Sequence, residues 1–205
     1  MELSNPFPGL NNIHNFIFTG QFNKHNYYRD IDLFKDLSIN NIKSNTKWDC
    51  KLQTNFPGND IGLLNFDFSD KLYKDILSYL KRELKKHHIK GLSYQTGPWY
   101  NIYKKGFSQE RHSHLNSKST LSACYYYRSP STIQFFNPET RNTHIMDNNG
   151  NLTPYEKSQI MVEFEPEEGA MILFSSELDH LVPIYDGDDI RISFSFNLNI
   201  QEVLK

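Results

Sequence analysis

Three histidines stand at spacings that a metal ion can use. His112 and His114 lie two residues apart in QERHSHLNS, just ahead of a β-prone run, and His180 follows another such run in LDHLVP. Residues i and i+2 of an extended chain point to the same side, so the first two can grip one ion. A third ligand from a distant strand completes a facial set. Imidazole suits iron, zinc, copper and nickel, and three protein ligands leave coordination positions open for chemistry. On spacing alone, two histidines in a polar loop are as readily just solvated. Arg191 gives the histidines a context. It sits on the polar side of a run, 189–199, in which Ile190, Ile192, Phe194 and Phe196 alternate with Arg191, Ser193, Ser195 and Asn197. If that polar side faces into the molecule, the guanidinium needs an anion, because an unpaired buried charge is costly. A ligand carboxylate held bidentately, with the Ser193 hydroxyl beside it, meets the need. A salt bridge to an acidic side chain, or a surface-facing strand, is the alternative.

Two further runs carry polar groups on predicted strands. In PWYNIYKKG, Trp99, Asn101 and Tyr103 share one face. In LSACYYYRSP, Leu121, Ala123, Tyr125 and Tyr127 share one face, and Ser122, Cys124 and Tyr126 the other. Three successive tyrosines put a phenol on each side, and a buried phenol needs a hydrogen-bond partner.

These residues have to be held by something, and the second half of the chain supplies short β-prone runs at 97–104, 121–128, 132–136, 159–165, 170–174 and 189–199, separated by Gly, Pro, Asn and Ser. That pattern predicts an all-β sandwich or barrel. The segment 142–154, with NNGN at 148–151, reads as a loop able to cover a site, and Arg128, Arg141 and His144 are candidates for substrate contact. The first half reads as helical. Ile31, Leu33, Phe34 and Leu37 form a short pattern. A longer helix is predicted from Ser69 to His88, with Leu72, Ile76, Leu80 and Leu84 on one face, Asp70 in its first turn, and Lys85, Lys86 and His87 in its last before Gly91.

Composition narrows the function classes. The 205 residues predict one domain at roughly 150 residues per domain. With 38% hydrophobic and 14% aromatic residues, the chain can build a core. A net charge of −2 offers no basic excess for a phosphate backbone, so nucleic acid is not an expected partner. Cys50 and Cys124 are too few for a disulfide framework and lack metal-binding spacing, which fits a reducing, cytoplasmic setting. The start, MELSNPFPGL, lacks the cationic and apolar regions of a secretory signal, and the longest apolar run, 170–174, falls far short of the about 20 residues of a span. No membrane association is expected.

The order of these motifs resembles that of an Fe(II)/2-oxoglutarate oxygenase family. The resemblance runs through Trp99, Asn101 and Gly106, the His112/His114 pair, Ser122 and Ala123 before Tyr125 and Tyr126, and FFNP at 135–138. It continues through PEEGAMILFSS at 166–176, DHLVP at 179–183 and RISFSFN at 191–197, and so covers about 93–199. The implied fold is mainly β with N-terminal helices, a double-stranded β-helix or cupin-like jelly roll, with 1–92 as a helical or mixed support region and 93–199 as the catalytic core of a single domain, 1–205. The resemblance implies that His112, His114 and His180 hold Fe(II), with His114 where most such oxygenases have Asp or Glu. It also implies that Arg191 and Ser193 bind 2-oxoglutarate, joined by Asn101, Tyr103 and Tyr126, with Tyr125 or Tyr127 as alternatives to Tyr126. Leu115 and Ala123 stand where Pro and Gly are common. The implied activity is a dioxygenase reaction that hydroxylates a small molecule or protein side chain and releases succinate and CO2, with ascorbate as an assay reductant. A homodimer stays open. Competing readings are a three-histidine cupin enzyme that does not use 2-oxoglutarate, and a non-catalytic jelly-roll binding module.

Overall fold

The computed structural model describes residues 1–4, 17–22, 34, 37–56, 71–114, 120–128, 130–138, 144–146, 152–154, 161–200 and 202–203. Along the chain these form β1 (Glu2–Ser4), β2 (Ile17–Gln21), β3 (Gln53–Thr54), α1 (Lys71–Lys85), β4 (Ile89–Lys90), β5 (Ser93–Tyr103), β6 (Gln109–His112), β7 (Leu121–Arg128) and β8 (Ile133–Phe136). The remainder are β9 (His144–Met146), β10 (Leu152–Pro154), β11 (Met161–Phe164), β12 (Ala170–Ser175), β13 (His180–Val182), β14 (Arg191–Asn199) and β15 (Glu202–Val203). A seven-stranded antiparallel sheet has the order β1-β2-β12-β7-β14-β5-β3, and a four-stranded sheet has the order β11-β8-β13-β6. Small pairs β9/β10 and β4/β15 complete the pairing. The fold is a double-stranded β-helix. No helix among the described residues is long and apolar enough to cross a membrane.

The large sheet is buried on both faces. On one side the helix α1 packs Leu72, Tyr73, Ile76, Leu80 and Leu84 against Ile192, Phe194, Phe196 and Leu198 of β14, with Tyr73 edge-on to Phe194 and Phe196. On the other, Ile17, Cys124, Tyr126, Ile172 and Phe174 meet Ile133, Phe135 and Leu178 from the side of the small sheet. Strict alternation along β14 therefore sends its apolar residues to the helix and its polar residues into the space between the sheets. The amphipathic helix is the reason that the polar face is the inner one.

Several expectations shift. The helix ends at Lys85, not His88: the amides of Lys86, His87 and His88 tighten onto Glu83, Leu84 and Lys85 carbonyls, and His88 turns left-handed at φ 63°. The segment 142–154 contains the hairpin β9/β10 where a loop was expected; its pairing runs Met146 to Leu152, and NNGN at 148–151 lies outside the described residues. Also outside them are Ile31, Leu33, Ser69, Asp70, Leu115, Arg141 and the first residues of the 159–165 run; of the 31–37 pattern only Phe34 and Leu37 are described, and neither is helical. The N-terminal strands β1, β2 and β3, which carry no clear alternation, join the large sheet. Gly106 has φ 83° in the β5–β6 turn, and its amide donates to the Tyr185 carbonyl at 2.8 Å. Nothing lies within 4 Å of a Cβ built there, so the backbone angle alone selects glycine.

Candidate active site

Strand pairing brings the histidines together. His180 of β13 is the direct cross-strand partner of His112 on β6, and their ring centroids are 4.3 Å apart. His114 follows two residues later, its amide donating to the Ser176 carbonyl at 2.8 Å, with its ring 5.2 Å from each of the other two. One ring nitrogen from each histidine lies within 4.8 Å of the others. The tautomers follow from the neighbours. His112 Nδ1 lies 2.8 Å from the Glu110 carbonyl and His180 Nδ1 lies 2.9 Å from the Leu178 carbonyl. A carbonyl can only accept, so in the neutral form of each ring Nδ1 carries the proton and Nε2 keeps the lone pair. Burial, then the charge of His112, pushes His114 down to about 4, and burial followed by the neighbouring histidines holds His180 well below its ordinary value. Both rings are neutral at pH 7, the form that binds metals.

Gln109 is a site residue that the sequence did not reveal. Its side-chain amide lies 3.4 Å from His112 Nε2, and its carbonyl accepts the Tyr103 hydroxyl at 2.9 Å. Residues three apart on a regular strand face opposite ways, so Gln109 and His112 should not share a cavity. A β-bulge makes them do so: Val182 pairs with Gln109 while His180 pairs with His112, so that Leu181 alone opposes Glu110 and Arg111.

Register on the large sheet assembles the other half. Arg191 pairs with Tyr103, and Ser193 sits between Asn101 on β5 and Tyr126 on β7. Arg191 is 1% exposed, with its guanidinium 4.6 Å from the Tyr103 ring centre and 5.8 Å from that of Tyr126. Among the described residues no carboxylate pairs with it, and its Nε and Nη1, together with Tyr126 Oη, are buried without a hydrogen-bond partner. These groups share a cavity of about 40 Å³ with the three histidines, Ser193 and Cys124. Burial pushes the Cys124 thiol up, so it stays protonated beside the guanidinium. Orphaned donors on one wall and neutral imidazoles on the other fit a metal-bound dicarboxylate.

The three tyrosines separate. Tyr126 faces the cavity, whereas Tyr125 packs at 5.4 Å on Phe22 and 6.2 Å on Phe194, and Tyr127 also lies against Phe194, on the helix side. Asn101 lines the cavity and donates its amide to Ser195 Oγ at 2.9 Å. Arg128 does not line the site as a substrate contact: it grips Asp189 with two hydrogen bonds, 3.0 and 2.7 Å, at the surface. Arg141 lies outside the described residues, and His144 is placed on β9 with its side chain outside them.

Residues 97–197, just under half of the chain, match a family model described as "Putative 2OG-Fe(II) oxygenase". The segment resembles a 2OG-Fe(II) oxygenase domain. The 2OG-Fe(II) oxygenase assignment makes the protein an oxidoreductase with Fe(II) and 2-oxoglutarate as its cofactors. Solved structures similar to the chain include a prolyl-4-hydroxylase from Pseudomonas putida, at 14% identity and a TM-score of 0.44 over 85% of this chain and 82% of that one. A prolyl hydroxylase from Trichoplax adhaerens, in complex with a hypoxia inducible factor peptide fragment, is 13% identical with a TM-score of 0.48 over 83% and 74%. HygX from Streptomyces hygroscopicus, with nickel, 2-oxoglutarate and hygromycin B bound, is 12% identical with a TM-score of 0.45 over 73% and 74%. No curated protein matches the chain.

Proposed function

We propose that His112, His114 and His180 hold the Fe(II), and that Arg191 receives the distal carboxylate of 2-oxoglutarate with Ser193, Tyr103, Tyr126 and Asn101 around it, for hydroxylation of a small-molecule or protein side-chain substrate. The observation that carries this reading is the buried, unpartnered guanidinium in the same cavity as the triad. When bound, iron and 2-oxoglutarate supply the oxidising chemistry: 2-oxoglutarate is converted to succinate and CO2 by one oxygen atom of O2 as the other enters a C–H bond.

The residues of this chain supply order. The Glu110 and Leu178 carbonyls fix His112 and His180 with Nε2 free. Ser122 Oγ lies 3.0 Å from Ser176 Oγ and donates to Asn197 at 3.1 Å, bracing the segment on which the His114 amide docks. Arg191 Nε and Nη1 are buried without acceptors, so the guanidinium keeps donors for the carboxylate, and the Tyr126 hydroxyl adds another. Gln109 holds the Tyr103 phenol through its carbonyl, and its amide lies 3.4 Å from His112 Nε2, beside the position that the metal would take. A histidine where a carboxylate is common leaves the site one unit more positive, which favours a dianionic cosubstrate. In this reading 1–92 buttresses a catalytic core at 93–199.

Purified protein supplied with Fe(II), ascorbate and 2-oxoglutarate is expected to form succinate above a boiled control, and Arg191→Met is expected not to. Failure of the iron-loaded protein to bind 2-oxoglutarate under anaerobic conditions would overturn the proposal.

A further inference from the structure

Outside the triad lies a second, wider cavity of about 370 Å³ that shares Trp99, Asn101, Gln109, His112 and His114 with the inner one. Its outer wall is built from Trp48, Phe56 and Glu110. The aromatic rings form a continuous arc: Phe56 lies edge-on to Trp99 with centroids 4.8 Å apart, and Trp48 tilts against Phe56 at 5.5 Å. Trp48 is 40% exposed, so its ring is open to an incoming group. The chain has only two tryptophans, and both line this cavity.

The charge of the wall has one sign. Among the described residues no lysine or arginine lines it, and the acidic group there is Glu110. Oε2 of Glu110 is out of solvent and without a hydrogen-bond partner. Its neighbour Cys50 offers the carboxyl a thiol hydrogen bond but no counter-charge, since burial, with that hydrogen bond and the Glu110 and Asp49 charges adding to it, pushes the thiol up to about 12. A carboxylate oxygen left without a donor is costly. The last torsion of a glutamate is soft, so the carboxyl can turn towards a donor that enters the cavity. Arg111, next in sequence, is taken up elsewhere: it stacks 4.1 Å over Phe136 and bonds Asp179.

We propose that this cavity selects a substrate carrying a protonated amine, an alkylammonium group held over the faces of Trp48, Phe56 and Trp99 with Glu110 as its counter-ion. The inference rests on the oxygenase reading for its statement that the occupant is the substrate. Ring faces attract cations, most strongly when solvent is displaced, and a carboxylate supplies the acceptor that an ammonium requires. A cavity of this size holds a single side chain or small amine. Bound there, the amine places the carbon chain that bears it against His112 and His114, the walls common to both cavities.

Because Trp48 and Trp99 are the chain's two indoles, intrinsic fluorescence reads this cavity directly. The protein is loaded with Zn(II), which cannot turn over, and with 2-oxoglutarate to fill the inner site, then titrated with n-hexylammonium, 1-hexanol and hexanoate. The ammonium is expected to bind about tenfold or more tightly than the alcohol, and Glu110→Gln to remove that preference. Glu110→Asp should keep part of it, which separates charge from fold. Equal affinity for the alcohol, tighter binding of hexanoate, an unchanged preference in Glu110→Gln, or no saturable change with any probe would each overturn the proposal. Succinate formation is read separately: its absence removes the oxygenase reading, while the cation preference stands or falls on the titration.

Discussion

Arg191→Met should make the protein worse at its task and no less stable. In the cofactor-free protein the guanidinium is 1% exposed, with Nε and Nη1 lacking acceptors and no carboxylate opposite among the described residues. Its visible compensation is the pair of contacts with the Tyr103 and Tyr126 rings at 4.6 and 5.8 Å. Those contacts are worth about 1–3 kcal/mol together. Burying an ion without a partner costs several kcal/mol. The balance favours an apolar side chain of similar length by ~0–2 kcal/mol, and for a chain of this size each kcal/mol moves Tm by about 2–4 °C. Cosubstrate affinity moves the other way. Removing one partner of a buried, hydrogen-bonded charge pair costs about 2–4 kcal/mol, a loss of roughly 30- to 700-fold in Kd. Two measurements read the two signs. Thermal unfolding without ligand should show an unchanged or higher Tm for Arg191→Met, and saturating 2-oxoglutarate should raise Tm in the wild type but not in the variant. Anaerobic titration of the iron-loaded proteins, followed by the absorption band of the 2-oxoglutarate complex, gives the affinities. A variant that melts well below wild type yet binds 2-oxoglutarate equally well would show that Arg191 is a structural ion and that its cavity receives something else.

His180→Ala should abolish specific Fe(II) binding while His144→Ala leaves it intact, measured by equilibrium dialysis; equal loss in both would mean that the triad is misassigned. His114→Ala should lower iron affinity sharply and His114→Asp should restore part of it, because a carboxylate is the commoner group at that position; an alanine variant with near-normal affinity would leave His114 as an orienting residue only. Gly106→Ala should cost about 1 kcal/mol through its φ of 83° with no effect on 2-oxoglutarate affinity, by denaturant unfolding and titration. Glu83 is held down to about 2 by Lys86 and the Met1 ammonium, with Arg82 adding to them. Its stabilisation is therefore present above the ordinary carboxylate pKa and lost as pH falls from about 4.5 towards 2; with Lys86 and Arg82 mostly exposed it amounts to about 1 kcal/mol, so Glu83→Gln should be less stable than wild type at pH 7 and equal to it at pH 2, by urea unfolding at both.

The legible and illegible parts of this molecule divide along a physical line. Alternation on β14 was enough to put Arg191, Ser193 and Ser195 on one side and Ile192, Phe194 and Phe196 on the other, because a strand has only two faces. Spacing of four along α1 was enough to find Leu72, Ile76, Leu80 and Leu84, while the helix end was not, because a left-handed His88 carries no local signal of the kind a glycine does. Which face of β14 is interior became clear only when the helix was seen to cover the other. Gln109 was invisible because a bulge reverses the parity on which the reading of strand faces depends. The choice among Tyr125, Tyr126 and Tyr127 needed only the register of β7 against β14. Trp48 and Phe56 come from one irregular segment and Glu110 from a strand 54 residues further on, and they meet at the mouth of the site, where no periodicity applies.

That division also separates what the site must keep from what it can vary. His112, His180, Tyr103, Tyr126, Arg191 and Ser193 all sit on strands and are locked by direct cross-strand pairs, His112 with His180, Tyr103 with Arg191 and Ser193 with Tyr126. Positions of this kind hold side chains to within fractions of an ångström, which suits the roles proposed for them towards a metal and a dicarboxylate. The wall proposed to meet substrate is built otherwise: Trp48 and Phe56 lie outside any strand, and His114 and Ser113 just past the end of β6. Substitution at Trp48 or Phe56 alters the shape of the mouth without touching a sheet ladder, so selectivity can change there while the cosubstrate clamp stays fixed. Glu110 is the exception, because it shares its strand with His112 and its own carbonyl accepts the His112 Nδ1 proton. Its side chain faces the mouth while its backbone orients a metal-site histidine. A change of side chain at 110 therefore leaves that backbone hydrogen bond available, and a shift of the β6 bulge would move both at once.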